Sequence, residues 1–301
     1  MLEKLVFIVG YGRSGSTLLD MMLDSDPTVF GAGEMSTICR HVWPNNEYCS
    51  CHERVQDCVL WSKIMADWQA GGVDLAEHAR LQRRIEPVVS PARYLGGKSW
   101  RQYYDQTLAL MRLSAQHAGQ PVLLDSSKSP GRGLALARGA QADGLDMRVI
   151  HLVRDPRAVA YSMSKPMKVD TAAGVQKKLR AHPVARTALR WNFVNSGADA
   201  LMRLIPEGHA IRVRYEDLVA DPAATLRAIG EAVGLDLADL GNRIAAGEAI
   251  AAEHQVAGSR IRMSGPMSLK ADMNWQDRMS PSAQRQVERL LGKRMRRYGY
   301  S

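Results

Sequence analysis

Residues 10–17 combine residue types and a spacing that suit the binding of an anion. Their sequence is Gly-Tyr-Gly-Arg-Ser-Gly-Ser-Thr, between the apolar run of residues 5–9 and a helical pattern. Glycines let the backbone approach an anion closely, and the unpaired N–H groups of a helix N-terminus point towards it. The spacing is that of a P-loop, except that Ser16 stands where a P-loop has lysine, and Arg13 supplies a cation instead. The segment therefore predicts an oxyanion-binding loop, and its alternative is an ordinary glycine turn.

Arg154 and Ser162 form a second candidate pair for an anion. Arg154 lies at the carboxyl end of the apolar run 147–153, and Ser162 follows it by eight residues. Asp155 and Pro156 are a typical helix start, which places Ser162 about two turns into that helix. The two side chains could therefore converge on one phosphate, the arginine as a charged fork and the serine as a donor. Taken alone, such a pair is also common in helices without any ligand.

Glu34 and Lys128 are the residues whose chemistry would suit catalysis. Glu34 follows Gly31-Ala32-Gly33, and Lys128 lies in the polar segment 126–130 after the apolar run 122–124. A carboxylate can accept a proton, and an ammonium group can stabilise developing negative charge. Both residue types are also common in solvated loops. His151, within a predicted buried strand, is interpreted as a hydrogen-bonded core residue rather than a base.

The elements that must position these residues follow an alternating pattern. Apolar runs predict four strands, at residues 5–9, 122–125, 147–153 and 210–215. Helical patterns separate them, so we expect an α/β fold with an open, mostly parallel sheet flanked by helices, similar to the P-loop NTPases. Ligands of such sheets bind beyond the carboxyl ends of the strands, where all these motifs lie. Residues 40–120, which hold four of the six tryptophans, predict a mainly helical insertion on the substrate side.

The composition supports one globular domain over residues 1–301, with 46% hydrophobic and 24% charged residues. The formal charge of +9 favours anionic partners of unspecified kind. No apolar run approaches the roughly 20 residues that span a bilayer, and there is neither a secretory leader pattern nor a nucleic-acid-binding motif. We therefore expect a cytoplasmic protein that binds no nucleic acid, and the sequence leaves the oligomeric state open.

Four cysteines lie within twenty residues, at Cys39, Cys49, Cys51 and Cys58. The Cys49-Ser50-Cys51-His52 stretch could bind zinc together with Cys58, but its Cys-x-Cys spacing differs from the Cys-x2-Cys of usual structural sites. We therefore expect reduced or locally disulfide-paired cysteines and no metal. A cytosolic address would favour the thiol form.

Together these motifs resemble the sulfotransferases that use 3'-phosphoadenosine 5'-phosphosulfate (PAPS). Residues 12–17 are similar to their 5'-phosphosulfate loop, and residues 149–156 with Ser162 are similar to their 3'-phosphate motif. The segment Tyr215-Glu216-Asp217-Leu218 also resembles a recurrent part of that family. The resemblance covers residues 5–38 and 121–235 and is greatest to bacterial members.

The resemblance implies roles for individual residues. It implies in-line transfer of a sulfuryl group from PAPS to a hydroxyl of a small molecule, carbohydrate or glycolipid, with PAP as product and no metal. Glu34 resembles the catalytic base, and Lys128 and Arg13 would stabilise the transferred group and the leaving phosphate. Tyr215 resembles a residue near the adenine, and Arg260 or Arg262 could belong to a loop that closes over the 3'-phosphate. The implied donor-binding residues are Gly12, Arg13, Ser14, Gly15, Ser16, Thr17, Arg154, Ser162, Tyr215, Arg260 and Arg262.

Two other functions compete with this interpretation. An ATP-dependent small-molecule or nucleotide kinase would fit the loop, and Asp125 at a strand end is typical of magnesium support. The missing P-loop lysine and the Arg154/Ser162 pair argue against it. A non-catalytic nucleotide- or nucleic-acid-binding protein would fit the positive charge alone.

Overall fold

A five-stranded parallel sheet forms the centre of the protein. The computed structural model describes residues 2–87, 97–166, 168–170 and 180–301. The strand order is β2-β3-β1-β4-β5, and every neighbouring pair is parallel. The strands are β1 (Lys4–Val9), β2 (Val29–Gly31), β3 (Val122–Lys128), β4 (Asp146–Val153) and β5 (Ala210–Arg214). The predicted open parallel sheet is confirmed, and β2 is an edge strand that the sequence pattern did not specify.

The central strand β1 shows why the sheet is covered on both faces. Leu5, Phe7 and Val9 pack into one apolar core, whereas Val6 and Ile8 pack into the other. Successive side chains of a strand point to opposite faces, so an uninterrupted apolar run requires a core on each side. The helices supply those two layers.

Among the described helices, several begin where a polar cap precedes a proline. Asp155 and Asp221 cap helices whose first residue is proline, and the start at Asp155 is the one that the sequence analysis predicted. Ser129 caps a third such helix, since its side chain accepts a hydrogen bond from the Arg132 amide. The α-helices are α1 (Ser16–Asp24), α2 (Trp61–Ala70), α3 (Leu75–Ile85), α4 (Lys98–Ala118), α5 (Pro130–Asp143), α6 (Pro156–Met163), α7 (Val184–Met202), α8 (Tyr215–Ala220), α9 (Pro222–Val233), α10 (Ala238–Ala245), α11 (Trp275–Arg278) and α12 (Pro281–Arg297).

The insertion between β2 and β3 is mainly helical, as expected. Helices α2, α3 and α4 follow a short 3₁₀ turn (Met35–Thr37) and a π-helical turn (Ile38–Val42). Trp61 and Trp68 are buried in the same core as Phe7, so these tryptophans stabilise the fold rather than offer aromatic surface to a ligand. The insertion and the sheet therefore share one apolar core, and the single domain over residues 1–301 stays a prediction.

The C-terminal part of the chain contacts both the insertion and α7. Residues 253–270 contain only a short 3₁₀ turn (Arg260–Met263) and isolated bridges, including one between Gly33 and Val256. Helix α12 packs its Leu291 and Met295 with Trp191. Within the described ranges, no helix is both long enough and apolar enough to cross a membrane.

Candidate active site

The loop that joins β1 to α1 depends on two glycines. Gly10 has a φ of +151°, and a Cβ there would lie 2.3 Å from the Leu152 carbonyl oxygen. Gly15, at φ +93°, precedes α1, and a Cβ there would lie 2.5 Å from the Tyr215 ring. Only glycine tolerates both the left-handed backbone and the lack of space for a Cβ atom. The loop is therefore built for close packing against β4 and Tyr215.

The start of α1 leaves hydrogen-bond donors without protein partners. Gly15 has no side chain to cap the helix, so the first amides of α1 keep their free N–H groups. Ser14 is buried, and its Oγ has no hydrogen-bond partner among the described residues. Ser16 is buried as the first helical residue, and Thr17 Oγ1 accepts a hydrogen bond of 3.0 Å from the Ser259 amide. Unpaired amides and a buried hydroxyl at a helix N-terminus form a typical oxyanion site.

Arg154 and Ser162 reach the same loop from β4 and α6. Arg13 Nε donates to Ser162 Oγ at 3.0 Å, and Arg154 Nη1 donates to the Arg13 carbonyl at 3.3 Å. Arg154 is only 7% exposed, and its Nε has no partner among the described residues. Gly12 lies beside Met163 at the end of α6. The two motifs, remote in sequence, therefore meet at Arg13.

Positive charge is concentrated at this meeting point. Burial lowers the pKa of Arg13, and repulsion from Arg154 and Arg260 lowers it further, while Asp272 acts in the opposite direction. Asp272 accepts hydrogen bonds from Arg154 Nη2 at its carbonyl (2.6 Å) and its carboxylate (3.3 Å), but its side chain is 56% exposed. Asp272 is thus a solvent-facing counter-charge for Arg13 and Arg154, while Arg260 adds positive charge nearby. This surplus of cations favours the binding of a further anion.

Tyr215 lies between the loop and Arg154. Its ring fills the space beside Gly15, and the Arg154 guanidinium lies 4.3 Å from the ring centroid. Its hydroxyl accepts a hydrogen bond of 3.2 Å from the Asp272 amide. Tyr215 is buried, so it holds Arg154 in place through a cation–π contact.

The two arginines of the late 3₁₀ turn have different surroundings. Arg260 is exposed and lies near enough to Arg13 to affect its pKa. Arg262 is buried, and its Nη2 donates to the Tyr48 carbonyl at 3.0 Å. Arg260 therefore belongs to the cationic group, whereas Arg262 connects the late loop to the insertion.

Glu34 and Lys128 form an ion pair near the anion-binding loop. Lys128 Nζ lies 2.5 Å from Glu34 Oε1 and 3.1 Å from the Ser126 carbonyl oxygen. The side chains are 22% and 15% exposed, respectively. Lys128 is the last residue of β3, with a φ of +67°, at an irregularity of the β1–β3 register opposite Val9. The structure thus brings together a carboxylate and an ammonium group that are 94 residues apart in the sequence.

A buried ionic network, which the sequence did not reveal, lies behind this pair. Arg132 donates to Asp125 at 2.8 Å and to Glu86 at 2.9 Å, and all three side chains are almost fully buried. Ser127 Oγ donates to Asp125 and accepts from the Ser36 amide, which fixes the end of β3 to the turn after Glu34. Asp125 is completely buried and paired, so it is not placed to support magnesium as the kinase interpretation required.

A polar cavity of ≈280 Å³ opens beside Glu34. Hydroxyl, amide and guanidinium groups contribute to its walls. They include Thr37, Arg40, Gln82, Arg83 and Ser127. Such a lining can form many hydrogen bonds with a polar ligand.

Comparison with known proteins identifies the chain. A family model described as the sulfotransferase family matches residues 6–239, from the second half of β1 into α10. The chain belongs to the sulfotransferase family. The matched region contains both the anion-binding loop and the Glu34/Lys128 pair.

Curated relatives match a shorter stretch. Carbohydrate sulfotransferase 2 from Mus musculus and from Homo sapiens are each 37% identical to the chain over the aligned part. That part covers 30% of this sulfotransferase and 23% of each relative. The chain thus spans about a quarter of the length of the curated relatives it matches.

Solved structures show the same fold. The sulfotransferase domain of the Synechococcus PCC 7002 olefin synthase superposes with a TM-score of 0.51 at 20% identity, covering 100% of this chain and 96% of that one. The sulfotransferase domain from the curacin biosynthetic pathway gives a TM-score of 0.53 at 16% identity, with 100% and 99% coverage. These matches confirm the predicted P-loop-like α/β fold.

Proposed function

We propose that this sulfotransferase takes a sulfuryl group from PAPS and transfers it to a hydroxyl of a small molecule, carbohydrate or glycolipid. The convergence of Arg13, Arg154 and Ser162 beside the N-terminus of α1 is the observation that carries the proposal. We infer that this arrangement offers two neighbouring positions for anions, one at the helix N-terminus and one at Arg154 and Ser162. A nucleotide with phosphate groups on both its 5' and 3' oxygens fits such a pair.

The chain's own donors suit that ligand. The backbone and hydroxyls of residues 12–17 would hold the 5'-phosphosulfate, with Ser14 Oγ, which has no partner in the described ranges, as one donor. Arg154, whose Nε has no partner within those ranges, and Ser162 would hold the 3'-phosphate. Tyr215 would border the adenosine, and Arg260 would approach from the late loop. Arg262 has a weaker case because its guanidinium is directed to Tyr48.

Glu34 and Lys128 would act on the acceptor side. PAPS, when bound, supplies a sulfuryl group attached to a phosphate leaving group. Glu34 would accept the proton of the acceptor hydroxyl as the acceptor oxygen bonds to sulfur and the bond between sulfur and the phosphate oxygen breaks, which releases PAP. Lys128 keeps the Glu34 carboxylate in place and, with Arg13, would stabilise negative charge on the sulfuryl and leaving phosphate oxygens. The proposal uses no metal ion in catalysis.

The acceptor is proposed to be a polyhydroxylated compound. The cavity beside Glu34 is lined by side chains that hydrogen-bond to hydroxyls. The name of the curated relatives, carbohydrate sulfotransferase 2, agrees with this chemistry.

The test is a direct assay with PAPS and a panel of sugars, phenols and aliphatic alcohols, with PAP release and product mass as readouts. We expect sulfated product with one or more hydroxyl acceptors, and calorimetric binding of PAP without magnesium. Tight magnesium-dependent ATP binding, together with no binding of PAP, would reject the donor assignment.

A further inference from the structure

Three cysteines of the insertion and one distant histidine surround a common point. Cys58 Sγ lies 3.3 Å from His254 Nδ1, Cys51 Sγ lies 3.7 Å from Cys58 Sγ, and Cys49 Sγ lies 3.8 Å from His254 Nδ1. All four atoms lie within 4.8 Å of one another. The remaining cysteine, Cys39, is outside this group, which we call the Cys₃His cluster.

The separations match those between the ligands of a tetrahedral zinc ion. Zinc bonds of about 2.3 Å to sulfur and about 2.0–2.1 Å to nitrogen place tetrahedral ligands roughly 3.8 Å apart for two sulfurs and roughly 3.6 Å apart for sulfur and nitrogen. A disulfide would require about 2.0 Å between the sulfurs, and all four cysteines are free. We propose that Cys49, Cys51, Cys58 and His254 bind one Zn²⁺ ion in a closed, structural site.

The backbone of residues 47–58 holds the three thiols in place. The Cys49 amide donates to the Glu53 carbonyl at 2.9 Å, and the Cys58 amide donates to the Arg54 carbonyl at 2.8 Å. These bonds fold the loop back on itself, so that the thiols of Cys51 and Cys49, seven and nine residues before Cys58, face the Cys58 thiol. Cys49 and Cys58 are buried, whereas Cys51 is partly exposed and leaves a route for the ion.

The histidine is fixed from the other side. Trp61 Nε1 donates to the His254 carbonyl at 2.6 Å, and the Ser50 amide donates to the Gln255 carbonyl at 3.2 Å. A local sequence pattern suggests His52 as the fourth ligand, but His52 is exposed. His254 lies 196 residues beyond Cys58, which is why the spacing of the cysteines did not predict a metal site.

The cluster connects the insertion to the candidate active site. Just after His254, the Val256 carbonyl accepts a hydrogen bond of 2.9 Å from the Glu34 amide. The Ser259 amide then donates to Thr17 Oγ1 at 3.0 Å. An ion bound by the cluster would therefore anchor this segment against both the anion-binding loop and Glu34, and its role is structural rather than catalytic.

Metal analysis of the purified wild-type protein provides the first test. We expect about one zinc per chain by inductively coupled plasma mass spectrometry, and a tetrahedral thiolate spectrum after replacement by Co²⁺. A metal content near zero, stoichiometric iron or copper in place of zinc, or a mass lower by two hydrogens from a disulfide would each overturn the proposal. This measurement does not require any variant to fold.

Two histidine variants supply a matched comparison. His254→Ala should lose the zinc, whereas His52→Ala should retain it. Cys39→Ser should also retain it, because that thiol lies outside the cluster. Removal of the ion from the wild type with a chelator should lower its Tm by several degrees, and the same treatment should leave the Tm of His254→Ala unchanged. Full zinc content in a folded His254→Ala protein would contradict the assignment of the fourth ligand.

Discussion

Replacement of Arg154 by alanine should weaken the binding of PAP by removing the cation of the 3'-phosphate position. A hydrogen bond to a charged group contributes about 1.5–3 kcal/mol, which corresponds to roughly 10- to 150-fold in Kd. We expect a loss in the lower part of that range, because Arg154 already bonds to Asp272 and would exchange that contact for one with the 3'-phosphate of PAP. Since burial and the Tyr215 ring hold the guanidinium in place, little ordering of the side chain opposes binding.

The assay is titration calorimetry of the wild type and Arg154→Ala with both PAP and AMP, which lacks the 3'-phosphate. We expect the variant to lose affinity for PAP and to change little towards AMP. Arg243→Ala, on the exposed surface of α10, is a control for general loss of positive charge. Equal losses for PAP and AMP, or an unchanged Kd for PAP, would refute the assignment of Arg154 to the 3'-phosphate.

Three further outcomes follow from the site and its surroundings. Glu34→Gln and Lys128→Ala should lower kcat by far more than they change the Kd of PAP. For the loss of a general base, the fall in kcat should be on the order of 100-fold or more. Wild-type turnover in either variant would show that the replaced residue has no catalytic role. Asp272→Asn should tighten PAP binding by about two- to five-fold, because its exposed carboxylate competes with the phosphate, and calorimetry would show it. Burial lowers the pKa of His151 to about 4. In the unfolded chain this histidine has a pKa near 6.5, so the unfolded state binds the proton more readily than the folded state. Tm should therefore fall as the pH is lowered from 6.5 to 4, and the fall should be smaller in His151→Gln.

The parts of the fold that the sequence predicts well depend on local signals. The continuous apolar run before Gly10 specifies a doubly covered strand, and Asp155 before Pro156 specifies a helix start. The anion-binding loop is equally local, because glycine spacing and a helix N-terminus are properties of a few adjacent residues. Lys128 was expected in a polar segment beyond the strand predicted at 122–125, but β3 continues to Lys128 with an irregular register that no local pattern reveals.

Long-range contacts account for what sequence reasoning missed. Arg132 pairs with Asp125 and Glu86, and only the folded chain brings Glu86 from the insertion to the start of α5. Likewise, the tryptophans suggested a ligand-contacting surface, but Trp61 packs into the main core and bonds to His254. Glu86 lies 46 residues from Arg132, and His254 lies 193 residues from Trp61, so periodicity and local spacing carry no information about these contacts.

The surroundings of the buried arginines distinguish the structural part of this sulfotransferase from the candidate ligand-binding part. Arg132 is almost fully buried, and two buried carboxylates balance its charge, so its surroundings need no ligand. Arg13 and Arg154 repel each other and have the exposed Asp272 as a counter-charge. Ser14, next to Arg13, has a hydroxyl without a partner in the described part of the chain. Arg13 also adopts a left-handed backbone, which costs a residue with a Cβ about 1–2 kcal/mol. Excess positive charge, the Ser14 hydroxyl and backbone strain all coincide at the end of β1, and one bound polyanion would relieve the charge and bond to the hydroxyl. That coincidence is what distinguishes a site from a surface rich in arginine.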